Sequence, residues 1–383
     1  MGQSSFKILI VAGEASGDMH AATLVREIKK LNPHITFSGL GGKAMQEAGV
    51  EIYENIVDLA VVGFVEVLKH LQEFRRLFRL VLQKAGETNA DAVLLVDYPG
   101  FNLRLARELK KRGFKVIYYI SPQVWAWKEN RVLLIKTCVD KMLVLFAFEK
   151  EFYAKRGYSA HFVGHPLLDS VKVTMNRDTF LESHGLSKNK FTVGLLPGSR
   201  QKEVEKLLPV MIGAAEILHN KNPKIQFLIL KAPTIDREII QKFAVGARHA
   251  VPLPNAIIDN DTYNGINASD ICMVASGTAT LETAILQKPM VVIYKTSLLT
   301  YWIAKSFVKI PHIGLVNIVA GEKIVPEYIQ FNATPRKIAA EVTSISQNEI
   351  RIAEIKSELA KVKSSLGLSG ASRRAAEAII QSL

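Results

Sequence analysis

An α/β fold of two Rossmann-like parallel-sheet domains, facing each other across a cleft, is what this chain of 383 residues predicts. Three observations carry the expectation. Apolar runs of five or six residues recur, each stopped by a Gly-, Ser-, Asp- or Pro-containing turn and followed by a helical pattern, which is the rhythm of parallel strands covered on both faces. The series stops at a polar stretch and then begins again. At about 150 residues per domain, the length suits two domains.

In chain order, Lys7-Ile-Leu-Ile-Val-Ala12 is the first apolar run, stopped by Gly13, and Glu14-Ala-Ser-Gly-Asp18 leads into a helix through Leu31. Ala92 to Val96 forms the next such strand, followed by Asp97-Tyr-Pro-Gly-Phe-Asn102 and a helix to Arg112. Lys115 to Ile120 precedes Ser121-Pro122 in the same way. After Val163-Gly-His-Pro166 the second series opens with Phe191 to Leu196, Pro197-Gly-Ser-Arg200 and a helix to about Asn220. Ile225 to Leu230, Ile271 to Ala275 and Met290 to Tyr294 read as its further strands, with a helix through Leu286 after Ser276-Gly277. The tail from Asn348 is rich in Ala and Lys and reads as two helices broken near 367–370. The expected division is 1–170 as the first domain, 171–190 as a linker, 191–345 as the second domain, and 346–383 as a helical tail packing back on the first.

Composition excludes several classes. With 48% apolar and 22% charged residues, 14 Pro and 24 Gly, the chain is neither disordered nor collagen-like. Cys138 and Cys272 make no CxxC, so no disulfide framework or zinc site is expected, and the chain reads as reduced and cytoplasmic. No stretch free of Asp, Glu, Lys and Arg exceeds 12 residues, whereas a bilayer-spanning helix needs about 20 mostly apolar ones. The opening Met-Gly-Gln-Ser-Ser-Phe carries neither a secretion signal nor a myristoylation motif. Lys and Arg number 49 against 36 acids, a net charge of +13 that favours an anionic partner: nucleic acid, phosphate ester or anionic lipid.

Two turns have the makings of a phosphate site. Pro197-Gly-Ser199-Arg200 lies between a strand and a helix, where backbone N–H groups and the helix dipole meet an anion and a guanidinium adds a bidentate donor. The plainer reading makes Ser199 a cap and Arg200 a solvated side chain. Ser276-Gly277-Thr278-Ala-Thr-Leu-Glu282 repeats the arrangement, with Glu282 placed to accept ribose hydroxyls or, more simply, to complement the dipole. Neither turn is a P-loop or GxGxxG, so ATP hydrolysis and hydride transfer lose support. Asp97 ends a buried strand where open α/β sheets bind ligands; it can serve as a general base or as a turn residue before Pro99. Glu14, Ser16, Asp18 and His20 form a polar cluster after the first strand, either lining a substrate or simply opening a helix.

The segment 61–84 places Val65, Leu68, Phe74, Leu77, Phe78 and Val81 near helical spacing beside Lys69, Arg75, Arg76 and Arg79. It reads either as a membrane-surface helix or as a core stripe with a solvated face. Leu298 to Lys305 offers a second such face. Gln123-Val-Trp-Ala-Trp-Lys128 has the composition to stack bases, but its strand-loop position argues against it.

Gly13-Glu-Ala-Ser-Gly-Asp18, Asp97-Tyr-Pro-Gly-Phe-Asn102, Ser121-Pro-Gln-Val-Trp-Ala-Trp127, Phe162-Val-Gly-His-Pro166, Leu195-Leu-Pro-Gly-Ser-Arg200 and Ala275-Ser-Gly-Thr-Ala-Thr-Leu-Glu282, taken together, resemble the lipid-A-disaccharide synthase family in order and spacing over nearly the whole chain. The resemblance implies a GT-B glycosyltransferase of lipid A biosynthesis. It would move a diacylglucosamine unit from UDP-diacylglucosamine to the 6-hydroxyl of diacylglucosamine 1-phosphate, inverting the anomeric centre, with no cofactor and no catalytic metal. On matching positions, Asp97 would be the general base. Ser199, Arg200, Ser276, Gly277, Thr278, Glu282 and Asn317 would bind UDP, and Glu14, Ser16, Asp18 and His20 would line the acceptor side. The acylated substrates imply contact with the cytoplasmic face of the inner membrane through Phe64, Val65, Leu68, Arg75 and Arg76, and the family implies a homodimer and no nucleic-acid partner. Gly100 departs from a pattern in which many relatives carry a second acid, which puts any mechanism needing two carboxylates there in doubt. The competing readings are a UDP-sugar 2-epimerase, a transferase acting on another lipid carrier, and a non-catalytic nucleotide- or RNA-binding protein.

Overall fold

The computed structural model describes residues 5–56, 71–245, 255–297, 301 and 311–383. The chain divides into two units, Met1–Leu168 with Leu366–Leu383, and Asp169–Ser365.

Unit 1 alternates strand and helix: β1 (Lys7–Ala12), α1 (Ala15–Leu31), β2 (Thr36–Gly41), α2 (Lys43–Glu47), β3 (Glu51–Asn55), α3 (Leu71–Glu87), β4 (Ala92–Val96), α4 (Pro99–Lys111), β5 (Val116–Tyr119), α5 (Arg131–Cys138), β6 (Lys141–Val144), α6 (Ala147–Ala154) and β7 (Ala160–Phe162). The sheet is parallel in the order β3-β2-β1-β4-β5-β6-β7. Strands β1, β4 and β5 are buried along almost their whole length, as a sheet covered on both faces demands.

The chain passes through α7 (Leu167–Ser170) into unit 2, which holds α8 (Arg177–Ser183), β8 (Phe191–Leu196), α9 (Gln201–Lys221), β9 (Ile225–Lys231), α10 (Arg237–Val245), β10 (Ala256–Asp259), α11 (Thr262–Ala268), β11 (Ile271–Ala275), α12 (Ala279–Ile285), β12 (Met290–Tyr294), α13 (Leu315–Ala320), β13 (Glu327–Ile329), α14 (Pro335–Ser346) and α15 (Glu349–Ser365). Its sheet is also parallel, in the order β10-β9-β8-β11-β12-β13. Each sheet therefore reverses winding direction once, between β1 and β4 in unit 1 and between β8 and β11 in unit 2. In open α/β sheets, ligands bind beyond the carboxyl ends of strands at such a point.

Two expected boundaries change. The polar stretch 171–190, expected as a linker, contains α8, whose Phe180 and Leu181 are fully buried and whose Arg177 bonds Asp270 of unit 2. Its polar composition reflects one solvated helix face. The tail 346–383 does not pack as one piece: α15 packs on α12, α13 and α14, and only α16 (Ala371–Ile380) lies on α1 in unit 1. There Arg374 donates to the carbonyl of Val163 at 2.8 Å and Lys141 to that of Ala378 at 2.7 Å.

Candidate active site

The loops leaving β1 and β4, at the switch point of unit 1, carry its acids. Asp97 and Tyr98 both adopt φ of 48°, a left-handed conformation that non-glycine residues take at a cost. The strain is held from several sides. The Asp97 carbonyl accepts from Tyr118 Oη at 2.6 Å and from Asn102 Nδ2 at 2.8 Å, while its N–H donates to the Tyr119 carbonyl at 3.0 Å. The Tyr98 ring stacks on Phe101 and occupies the space over Gly13, where a Cβ would fall 2.3 Å from the ring. Gly13 is thus required by a close approach. The result is an Asp97 carboxyl set at the strand end and pushed up to about 6, by burial first and by the charge of Glu14 second, against one backbone N–H from Tyr98. A carboxylate with that proton affinity is suited to act as a base near neutral pH.

A second buried acid stands close to it. Glu149 of α6, only 3% exposed, accepts from the indole N–H of Trp125 at 3.1 Å and from the backbone N–H groups of Leu145 and Phe146. Burial raises its carboxyl to about 7, with the Asp97 charge adding to the rise. His165, its ring tilted against Phe146, is pushed down to about 3 by burial and by the neighbouring His20, so it stays neutral. Glu149, held by Trp125, thus adds a second acid beside Asp97. Nothing in the sequence signals the Glu149–Trp125 bond.

Of the expected acceptor-side residues, Glu14 faces Asp97 and Tyr98 electrostatically. Ser16 is exposed on the first turn of α1, and His20 is lowered by burial. Asp18 is corrected: its carboxylate is 5% exposed and accepts the N–H groups of Gly42, Ala44 and Met45 at 2.7, 3.0 and 3.2 Å. Its chief work is to close the start of α2, with at most about one of its four lone-pair sites left over. Gly100 has nothing within 4 Å of a built Cβ, so the space for a second acid is there but unfilled.

At the switch point of unit 2, the turns after β8 and β11 stand on adjacent strands. Gly198 has φ of 115°, and Glu203 folds back beneath it to accept the Ser199 N–H at 3.3 Å, while Thr234 bonds the Ser199 carbonyl. Arg200 caps α9 with extended backbone and an exposed side chain. Ser276 Oγ donates to the Ile313 carbonyl at 3.0 Å, Gly277 faces open space, and Thr278 is exposed. The Tyr263 phenol is raised by burial first and by the charge of Glu282 second, and the Glu282 carboxyl is itself pushed up to about 7 by burial.

Asn317 is corrected. It is fully buried and spends all four of its hydrogen bonds on the protein, donating to the Val325 carbonyl and Glu327 Oε1 and accepting from the N–H groups of Ile324 and Val325. Glu327 in turn accepts the N–H groups of Ile313 and Gly314. Asn317 thereby shapes the segment that Ser276 bonds, and it offers nothing to a nucleotide directly.

Phe64, Val65 and Leu68 lie outside the described residues. In the described part of the segment, Phe74 and Phe78 pack on Phe101, and Leu77 and Val81 are buried, so that face belongs to the core. The Arg76 guanidinium pairs with Glu54 and Glu73 at the surface, and Arg75 and Arg76 are both exposed. Trp127 carries Lys128 and Arg131 over its ring. Among the described residues, no helix is long and apolar enough to cross a membrane, and no three His, Cys, Asp or Glu side chains are grouped to hold a metal.

Two doubly wound parallel sheets, each with a single switch point, define a protein of the GT-B fold class. Solved structures support the fold: a UDP-N-acetylglucosamine 2-epimerase from Neisseria meningitidis bound to UDP-GlcNAc matches with a TM-score of 0.63 and 15% identity over 98% of this chain and 100% of that one. A putative UDP-N-acetylglucosamine 2-epimerase from Listeria monocytogenes matches at 0.65 and 13%, over 99% and 97%. At these identities the likeness is one of fold. Sequence is far more specific. The lipid-A-disaccharide synthetase family matches residues 8–382, and the chain belongs to that family. It is 44% identical over 381 residues to the lipid-A-disaccharide synthase of Geobacter sulfurreducens, covering 99% of this chain and 98% of that one. To the synthase of Syntrophus aciditrophicus it is 46% identical over 369 residues, 96% of each. The chain is accordingly a hexosyltransferase that forms the lipid A disaccharide.

Proposed function

We propose that the chain joins UDP-2,3-diacylglucosamine to 2,3-diacylglucosamine 1-phosphate by a single inverting displacement. Asp97 takes the proton from the acceptor 6-hydroxyl; that oxygen attacks the anomeric carbon; the bond to the diphosphate breaks, and UDP leaves. Negative charge develops on the diphosphate, and Arg200 with the backbone donors of the Ser276–Gly277–Thr278 turn offsets it. Glu282 accepts the ribose hydroxyls. The observation that supports this reading best is that the motif loops carrying these groups are the ones leaving the two switch points. An epimerase reading has the fold likeness alone in its favour. Incubation with both substrates is expected to yield a β-1,6-linked disaccharide 1-phosphate and stoichiometric UDP; release of free sugar, or an epimerised UDP-sugar, would overturn the assignment.

Both substrates carry acyl chains, so the enzyme meets them at an anionic membrane surface, where each nearby Lys or Arg adds about 1 kcal/mol. The segment 61–84, with Arg75 exposed, is the contact we assign. Replacing Phe64, Val65 and Leu68 by Ser is expected to shift the chain from the membrane to the soluble fraction on sedimentation with its circular dichroism unchanged. An unaltered distribution would remove the segment from that role.

A further inference from the structure

We infer that Glu149 is a positioning residue for the acceptor sugar: through Trp125 it fixes the loop that leaves β5 beside Asp97, and the indole forms a wall for the sugar ring while its hydroxyl meets the base. The inference rests on the transferase reading above and concerns unit 1 alone.

Glu149 does more than open its helix. As the third residue of α6 it accepts the Phe146 N–H, the bond expected of an acid in that place. That role is ordinarily filled at the surface, whereas Glu149 is 3% exposed and pairs with no Lys or Arg among the described residues. Burying a carboxyl without a cation is costly. What it gains beyond the cap is a bond in another direction: Oε2 accepts from Leu145 and Phe146, each at 3.2 Å, and Oε1 accepts the indole N–H of Trp125 at 3.1 Å.

The loop held in this way starts under strain. Ile120, at the end of β5, has φ of 68°, a conformation that a β-branched residue rarely adopts. Ser121 Oγ lies 2.8 Å from Tyr153 Oη of α6, so α6 ties the loop twice. The loop is also next to the base. Strands β4 and β5 are paired neighbours, the Asp97 N–H donates to the Tyr119 carbonyl, and the Asp97 charge acts on Glu149. Trp125 stands edge-on to Phe148 with ring centroids 5.1 Å apart, Phe148 stacks on Phe146, and Trp125 and Phe148 both keep part of their surface exposed. With its N–H engaged by Glu149, Trp125 offers a ligand its ring alone, and the C–H face of a pyranose is apolar surface that suits it. Holding that ring in place holds its hydroxyl on Asp97.

Steady-state kinetics of the full chain, with the acceptor in detergent micelles, test the assignment. Glu149→Gln keeps the side chain's size but has one acceptor oxygen where donors approach from two sides. It is expected to lower kcat/KM for the acceptor by about ten- to a hundredfold. Inhibition by UDP is expected to stay unchanged, and the acidic limb near pH 6 to remain, because Asp97 is intact. Trp125→Phe keeps a ring without the N–H and is expected to lose a similar factor. The double variant is expected to lose little more than either single one, as two residues acting as a unit do. Acceptor binding is expected to change the tryptophan emission of the wild-type chain by a component that Trp125→Phe lacks. A lower melting temperature with kcat/KM unchanged would overturn the inference and leave Glu149 as a helix cap. So would losses that multiply in the double variant, or an emission change equal in the two chains. Disappearance of the acidic limb in Glu149→Gln would also overturn it, by making Glu149 the base. Should Glu149→Gln fail to fold, Trp125→Phe decides: unaltered kcat/KM and emission would remove the wall. Failure of the transferase reading would show separately, as absence of disaccharide from the wild-type enzyme.

Discussion

Asp97→Asn is expected to lower turnover by about two to four orders of magnitude while leaving the chain folded and at least as stable. The substitution suits the site. Asn tolerates the left-handed backbone that Asp97 adopts, and it preserves the carbonyl that Tyr118 and Asn102 hold. Only the proton-accepting oxygen is lost. In the wild-type enzyme, activity rises as the carboxyl loses its proton, so kcat/KM has an acidic limb centred near pH 6. The Asn variant lacks that limb. Glu14→Gln removes a repelling charge and moves the limb to lower pH. The stability effect has the opposite sign to the activity effect. The folded carboxyl holds its proton up to about 6, against 3.8 when unperturbed, so the folded chain binds the extra proton between those values and stability falls as pH rises through them. An amide carries no such cost at pH 7. A variant that melts no lower and turns over far more slowly identifies the base; near-wild-type turnover at pH 7 would exclude Asp97 from that role.

What sequence alone makes legible follows from what each residue exchanges with its neighbours. The central strands β1, β4, β8 and β11 are apolar because both faces are covered, and they are recognisable without any partner. Edge strands are different. Glu51–Asn55 is charged and only partly buried, and β7 and β13 are three residues long, so neither alternation nor length marks them. The same division runs through the site. Asp97 and Arg200 are placed by turns next to them in sequence, and the motif locates them. Asp18 and Asn317 carry the right chemistry, but most of their hydrogen bonds go to backbone 24 to 27 and 7 to 8 residues away, which only the folded chain brings near. Glu149 is the converse case: it is inconspicuous in sequence and reaches the acid site only because Trp125 and two backbone N–H groups hold it there.

Arg200→Ala is expected to lower kcat/KM by about two to three orders of magnitude, most of it in kcat. The turn's own construction makes the guanidinium hard to replace. Its Ser199 N–H is already engaged by Glu203, so the backbone donors that a strand-to-helix turn ordinarily offers an anion are partly taken. Arg200 itself caps α9 through its backbone, with a side chain that is exposed, so truncation leaves the helix start in place. The effect should therefore be on charge stabilisation rather than on folding. Arg200→Lys is expected to recover only part of the loss, because an ammonium supplies charge without the paired parallel donors that fit a phosphate. The split between constants separates two roles. A group acting on charge that develops as the diphosphate departs lowers kcat and leaves UDP product inhibition nearly unchanged. A group that only binds the resting nucleotide weakens UDP inhibition by the same factor as it raises KM, with kcat preserved. The second pattern would move the work of stabilising the leaving group to the Ser276–Thr278 turn, where Gly277 faces open space and a ligand's oxygens can come close to the backbone.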